Sequence, residues 1–456
     1  MDIKSLSDEQ LKIYITGKIN AYRTQVKEME LGVKYYNGEQ EILNKLRTAI
    51  GEDGRTKVLT NLPNSRLLDN QYKKAVDQKV NYLFSDPPNI QGDNDALVEK
   101  LSEVMDMRFL RTINKIAKDT YNTSIAWLYV YTDGQELKYK KLDPLEVIPL
   151  WTDNNHEALD GVIQLYSYTD FENGREVEKK QVRFFTDERI RIYDDTGGEL
   201  TLVEETSYLQ KGNAYYNFGR IPFVYFKMPT ERSLVYEVKC LQDALNIILS
   251  NFQDNMLEDP RNTILVLKNY DGEDLGMFRQ QLATYSAVKV EDIDGARGGV
   301  DTLKIDVNHE NYLAIITVLK KCIKENCRIV DLDNDRGSNP NTLNIQAMYS
   351  DMELDANQLE LEFSASLEYL TEIIKQIYNL TGTATIAFKR NIMVNQESVV
   401  NMIRNSVGLV SGETLRAKHP LVDDVQEEEL RIEKEKNEMM SGYGEGHSHD
   451  EEEQEE

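Results

Sequence analysis

Apolar positions recur at intervals of three and four through residues 8 to 37, where Leu11, Tyr14, Ile15, Ile19 and Tyr22 share a face behind the capping signal Ser7-Asp8. Tyr35-Tyr36-Asn37-Gly38 is expected to end that helix. A second helix is predicted from Asp69 to Phe84, with Tyr72, Val76, Val80 and Leu83 on one side and Pro87-Pro88 as its stop. A third covers 95 to 121. The spacing then shortens to two. Ile125–Val130, Leu137–Lys141, Val162–Tyr168, Gln181–Thr186 and Ile190–Tyr193 are β-prone runs separated by Asp133-Gly134, Asn173-Gly174 and Gly197-Gly198, the pattern of an antiparallel meander.

From Glu231 to Leu257 the helical period returns, with Leu234, Val238, Leu241, Leu245, Ile248, Phe252 and Met256 on one stripe. At about 1.5 Å per residue such a helix spans roughly 40 Å. Pro260 ends it, and residues 258 to 309 read as a compact α+β insert. The next helix, 310 to 331, carries Ile315, Leu319 and Ile323 on one side and Lys320, Lys321, Lys324 and Arg328 as a neighbouring basic stripe. Because the insert is compact, the two helices can run antiparallel. A polar loop, 332 to 342, precedes a very long helix from Leu343 to Leu380, where Phe363, Leu367, Leu370, Ile374 and Ile377 form a seam for another helix. A strand over 383–389, short helices over 396–408 and 413–418, a charged helix over 424–440 and a disordered tail complete the chain.

Composition narrows the function. A chain of 456 residues, 40% hydrophobic, can bury one large core or several ordinary ones. Neither a long apolar run nor a signal-like start occurs, so the reading is of a soluble protein with no membrane partner. Cys240, Cys322 and Cys327 are too few and too irregular for a disulfide framework; Cys322 and Cys327, five apart in a helical pattern, read as small core or interface residues. Net charge is −26, which argues against tight wrapping of nucleic acid; yet 15 acids and 3 bases between Asp423 and Glu456 place −12 of it in the C-terminal segment.

No catalytic constellation emerges. Gly295-Ala296-Arg297-Gly298-Gly299 lacks both the spacing and the lysine of a phosphate loop. Asp331, Asp333 and Asp335 begin like a calcium loop, but Gly337 falls one place late and Thr342 stands where a bidentate Glu is needed. His447 and His449 lie among acids in the tail, and no histidine sits in a motif that couples it to a nucleophile. The expectation is a non-enzymatic protein with no cofactor and no metal.

Three segments carry a resemblance: Leu62-Pro63-Asn64-Ser65-Arg66 through Tyr72 to Pro88; the order helix, insert, helix, polar loop, longer helix across 231 to 380; and Phe388-Lys389-Arg390-Asn391 with Ser411–Leu415 and His419–Asp424. Together they resemble portal proteins of tailed bacteriophages, of the type found in long-tailed phages of Gram-positive hosts, over about Tyr35 to Lys436. The resemblance implies an α+β, predominantly helical portal fold. In it 1–230 is the N-terminal part of a wing, 231–257 and 310–331 are stem helices, 258–309 is a clip, and 332–342 is a tunnel loop. The long wing helix and strand take 343–395, the crown 396–440, and a disordered acidic tail 441–456.

It further implies a ring, usually of twelve copies, at one capsid vertex, through which double-stranded DNA is packaged and ejected. The implied partners are the large subunit of the terminase, the major capsid and scaffolding proteins and a head-completion adaptor, and the chain would occupy the host cytoplasm during assembly and the virion afterwards. Acidity then suits a conduit, because duplex DNA carries one charge per roughly 1.7 Å and dense basic contacts would act as brakes. Lys320, Lys321, Lys324 and Arg328 are the candidate tunnel-facing cations of the stem. Arg336, Asn339 and Asn341 are the residues expected to approach the DNA backbone from the loop. The rival readings are another ring-forming phage head or neck protein, a scaffold or adaptor that never forms a ring, and a metal-dependent nuclease built on scattered carboxylates.

Overall fold

Ser7 opens the first helix, α1 (Asp8–Asn37), through a reciprocal cap: its Oγ accepts from the Gln10 N–H, and the Gln10 side chain accepts from the Ser7 N–H. Gly38, at φ 87°, closes it in the left-handed conformation. The computed structural model describes residues 3–50, 54–60, 62–133, 136–172, 174–211, 214–258, 263–268, 299–304, 309–331, 342–390, 396–419, 421–422 and 425–444. Met1–Ile329 with Leu354–Arg390 make one compact unit, and Val330–Glu353 with Asn391–Glu456 a second. Helices outweigh strands, and the fold is α+β.

In the first unit a short hairpin, β1 (Thr48–Ile50) and β2 (Thr56–Val58), is followed by α2 (Gln71–Leu83), β3 (Asn89–Gly92), α3 (Asp95–Val104) and α4 (Met107–Thr123). The sequence predicts one helix over 95 to 121; the structure breaks it at Met105-Asp106. Asp106 Oδ1 accepts from the N–H groups of Arg108 and Phe109, both at 2.9 Å, and a cap of that kind starts a new helix more readily than it continues an old one.

The predicted meander is two sheets. One is three-stranded, order β13-β4-β5, from β4 (Ile125–Asp133), β5 (Glu136–Leu142) and β13 (Phe223–Lys227). The other has order β10-β9-β8-β7-β6, from β6 (Val147–Trp151), β7 (Leu159–Glu172), β8 (Arg175–Phe185), β9 (Ile190–Thr196) and β10 (Glu199–Thr206). Alternation along a strand fixes which face is buried and says nothing about its neighbour, so the pairing of β4 with the distant β13 had no local signal. The small pair β11 (Leu209–Lys211) and β12 (Ala214–Tyr216) comes between β10 and β13 in chain order.

Long helices follow: α5 (Val235–Glu258), the paired strands β14 (Thr263–Lys268) and β15 (Gly299–Lys304), α6 (His309–Asn326) and α7 (Thr342–Tyr378), of which Leu354 onward belongs to this unit. Asn379, at φ 55°, caps α7, and β16 (Ala384–Ala387) pairs with β3. The seam of α7 is real but its partner differs from the expected helix. Phe363, Leu367, Leu370 and Ile374 are buried, and Phe363 lies 4.8 Å from Phe226 on β13 and 4.7 Å from Phe84.

Two apolar cores result. One gathers α2, α3, α4, β13, α5 and α7; the other packs the N-terminal half of α1 with the five-stranded sheet around Trp127, Phe185 and Phe223. Gly32 sits where α1 crosses α4, so closely that a β-carbon there would stand 1.9 Å from the backbone oxygen of Asn122. The second unit comprises the start of α7 with α8 (Gln396–Asn405), α9 (Gly412–Ala417) and α10 (Val425–Gly444); Arg416 and Glu429 are ion-paired across the last two. Among the described residues no helix is long and apolar enough to cross a membrane.

Candidate functional site

The two helices α5 and α6 pack together, as the sequence pattern suggests. Phe252 stacks on Tyr312 with ring centres 5.1 Å apart, and Asn255 Nδ2 donates to Tyr312 Oη at 2.8 Å. The stripe expected to be buried on α5 is only partly so. Leu234, Val238 and Leu245 are buried, whereas Met256 is 44% exposed. The side of α5 that is buried along its length is polar: Gln242, Asn246 and Ser250 are fully buried, and Asp254 nearly so.

That polar stripe binds the backbone of the segment before α2. Asp254 Oδ1 accepts from Ser65 N–H at 2.6 Å, Ser250 Oγ from Leu67 N–H at 2.9 Å, and Asn246 Oδ1 from Asp69 N–H at 3.1 Å. Gln242 Oε1 accepts from Gln71 and Tyr72 N–H at 3.0 and 3.2 Å, while its Nε2 donates to the Asp69 carbonyl at 2.7 Å. The periods match: two extended residues advance about 6.6 Å and four helical residues about 6.0 Å. Alternate amides of the segment therefore meet every fourth side chain of the helix, running in opposite directions. Lys45 closes the lower end, its Nζ 2.9 Å from Asn251 Oδ1 and 3.0 Å from Asp254 Oδ2. Burial alone would raise the Asp254 pKa, but donors from Ser65 and Lys45 outweigh it and hold the carboxyl below its ordinary value.

The candidate cations do not form one stripe. Lys320 Nζ pairs with Asp69 Oδ2 at 2.7 Å, tying α6 to the same segment. Lys321 is exposed and 3.7 Å from Glu325 Oε1. Lys324 is only 6% exposed. Arg328 is exposed, two residues beyond the helix end, with φ 51°. A helix of 3.6 residues per turn spreads 320, 321 and 324 over more than one side, and the buried side belongs to Ile323 and Lys324. Arg336, Asn339 and Asn341 lie outside the described residues, as do Asp333, Asp335, Gly295, His447 and His449.

Beside this assembly lies a half-buried ion pair, the buried Lys79 Nζ to Asp355 Oδ2 at 2.6 Å, in a cavity of about 170 Å³. Cys327 lines the same cavity; burial pushes its thiol up to about 12, which suits a core residue. Elsewhere a cleft of about 300 Å³ holds His156, whose Nδ1 is 2.8 Å from Glu231 Oε2. Ser124 lines the same cleft. Among the described residues no group of three or more His, Cys, Asp or Glu side chains is placed to hold a metal.

Residues 16–442 match the family model described as "Phage portal protein, SPP1 Gp6-like". The chain belongs to the phage portal protein family. Two relatives agree over most of their length. The portal protein of Clostridium phage phiCD119 is 28% identical over 440 residues, 92% of this chain and 96% of the relative. The portal protein of Bacillus phage SPP1 is 28% identical over 428 residues, 89% and 83% respectively. The resemblance to portal proteins of phages with Gram-positive hosts therefore holds for nearly the whole chain. Within a portal protein the strapped helix pair α5–α6 is a feature that sequence periodicity only half reveals: the apolar stripe of α5 predicts the helix, but nothing marks Gln242, Asn246, Ser250 and Asp254 as a buried side.

Proposed function

We propose that the chain is the repeating subunit of a ring at one capsid vertex through which double-stranded DNA enters and leaves the head. Residues 231–257 and 310–331 act as its stem, 258–309 as the clip, 332–342 as the tunnel loop, 1–230 and 343–395 as the wing, and 396–440 as the crown. The observation that carries this is the helix pair α5–α6: locked to the α+β body by the polar ladder, it still leaves Leu313, Ile315 and Val318 exposed. Ile315 and Val318 lie about 60° apart on the helix and form an exposed apolar strip that a neighbouring copy would cover. Purified chain should therefore assemble into particles of about 0.63 MDa, twelve copies of the 52.6 kDa chain, by mass photometry. A sharp peak at one chain mass at every concentration would refute the ring.

The role is structural, with ATP hydrolysis left to the terminase, whose large subunit docks on the clip. A head-completion adaptor, the major capsid protein and the scaffolding protein are the remaining partners. Among the candidate cations, Lys321 and Arg328 present exposed heads and are the pair assigned to the DNA; Lys320 is shared with Asp69, and Lys324 serves the protomer. Arg336, Asn339 and Asn341 are assigned to the loop. Charge reversal then separates the roles. Lys321→Glu with Arg328→Glu should leave ring assembly intact and lower the fraction of DNA-filled heads several-fold, whereas Lys324→Glu should lower the yield of folded chain before any assembly. Equal filling of heads by the double variant would remove Lys321 and Arg328 from the channel.

A further inference from the structure

Two tyrosine pairs, one from each large sheet, flank the junction of the three-stranded and five-stranded sheets. Tyr129 and Tyr131 of β4 stack with ring centres 5.8 Å apart, and Tyr166 and Tyr168 of β7 stack at the same 5.8 Å. Tyr129 links the sheets by packing against Phe185 of β8, ring centres 5.7 Å apart. Each pair carries a cation. Lys140, opposite Tyr129 in the register of β4 and β5, has its Nζ 5.6 Å from the Tyr129 ring centre, and the Arg183 guanidinium lies 3.9 Å from that of Tyr166. The two cations act on each other: burial first, and then the Arg183 charge, lower the Lys140 pKa, and the same guanidinium opposes the rise that burial gives Tyr129.

What this pair of cations lacks is an anion. Arg183 Nη2 donates to a neutral acceptor, Gln181 Oε1 at 3.1 Å, and Arg183 Nε is buried without a hydrogen-bond partner. Among the described residues no carboxylate is ion-paired with Lys140 or Arg183. Carboxylates of the same sheet face are engaged elsewhere: Asp194 Oδ1 accepts from Gln181 Nε2 at 3.1 Å, and Asp170 Oδ2 from Lys179 Nζ at 2.7 Å. In a chain with 79 acidic and 53 basic residues, two like charges left facing each other call for compensation from outside. We propose that Lys140 and Arg183, backed by Tyr129 and Tyr166, form a binding site for a single small oxyanion of the carboxylate or phosphate class. A guanidinium offers parallel N–H donors that match two oxygens of such a group, and stacking on tyrosine fixes its plane in advance; the ammonium adds a second charge at any angle. Charge limits the size of the ligand. A polyanion such as duplex DNA would meet Asp170, Asp194 and the field of net charge −26, whereas a lone oxyanion meets two cations. The site stands whether or not the chain forms a ring.

Melting of full-length chain in chloride, with inorganic phosphate or acetate replacing the chloride at constant ionic strength, tests this. The parent's melting temperature should rise by a few degrees and level off with at least one of the two anions, because a ligand that binds the folded chain stabilises it by mass action. Saturation by phosphate alone marks a tetrahedral ligand, and by acetate a carboxylate. Lys140→Gln should melt higher than the parent in chloride, since it removes a repulsion, and should lose the saturable response; a lysine that merely packs on Tyr129 would give the opposite sign. Arg183→Gln should lose the response as well, whereas Lys138→Gln, on the same strand but paired with Glu136, should keep it. A parent with no saturable response to either anion, an unchanged response in Lys140→Gln, or a lower melting of Lys140→Gln in chloride would overturn the site.

Discussion

Gln242→Leu should lower the stability of the first unit by about 1–3 kcal/mol, although leucine favours the helix. The substitution strands the buried Tyr72 N–H and leaves Gln71 N–H and the Asp69 carbonyl only their bond to each other at 2.9 Å. Asn246→Leu should behave alike, because Asn246 also donates to Gln40 Oε1 at 2.6 Å. Hydrogen exchange reads the effect where it arises: the amides of Leu67, Asp69, Gln71 and Tyr72 should exchange much faster in both variants. Ile247→Gln, on the exposed side of the same helix at 46% exposure, should change little. Unaltered exchange in Gln242→Leu would show that the ladder is not what holds the segment.

Alanine should have opposite effects at two glycines of α1. Mid-helix glycine costs roughly 1 kcal/mol relative to alanine, so propensity alone predicts stabilisation at both. At Gly17 nothing lies within 4 Å of the added carbon, and Gly17→Ala should stabilise by about 0.5–1 kcal/mol. At Gly32 the carbon would meet the Asn122 backbone oxygen at 1.9 Å and Ser233 Oγ at 2.8 Å. A backbone oxygen cannot rotate aside as a side chain can, so α1 must lift from α4, and Gly32→Ala should destabilise by about 3 kcal/mol or more. Thermal melts of the two variants beside the parent give the signs. A stabilised Gly32→Ala would mean that α1 does not cross α4 as described.

Elements specified by local chemistry were legible in advance. The cap at Ser7, the stop at Gly38, the span of α2 and the period of α5 all follow from residues within a few positions of one another. What escaped is non-local. β4 pairs with β13 from some ninety residues later, and hydropathy alternation carries no address. The break at Asp106 was hidden because apolar spacing continues through it. The same limit shaped the candidate site. A basic stripe at 320, 321, 324 and 328 looks uniform along the chain, but Lys324 turns inward and Lys320 meets Asp69. The buried polar face of α5 was invisible for the opposite reason, since glutamine, asparagine and serine at helical spacing ordinarily mark the solvent side.

The portal family supplies the expectation of a ring, and the geometry of α5 and α6 supplies a way to stand subunits in it. A cryo-EM reconstruction of the purified assembly locates that pair directly. The account predicts an open axial channel with α5 and α6 of every copy nearest the axis, Lys321 and Arg328 facing inward, and the polar ladder on the outer side of each pair. An assembly in which this helix pair lies at the periphery, or one with no central opening, would contradict it.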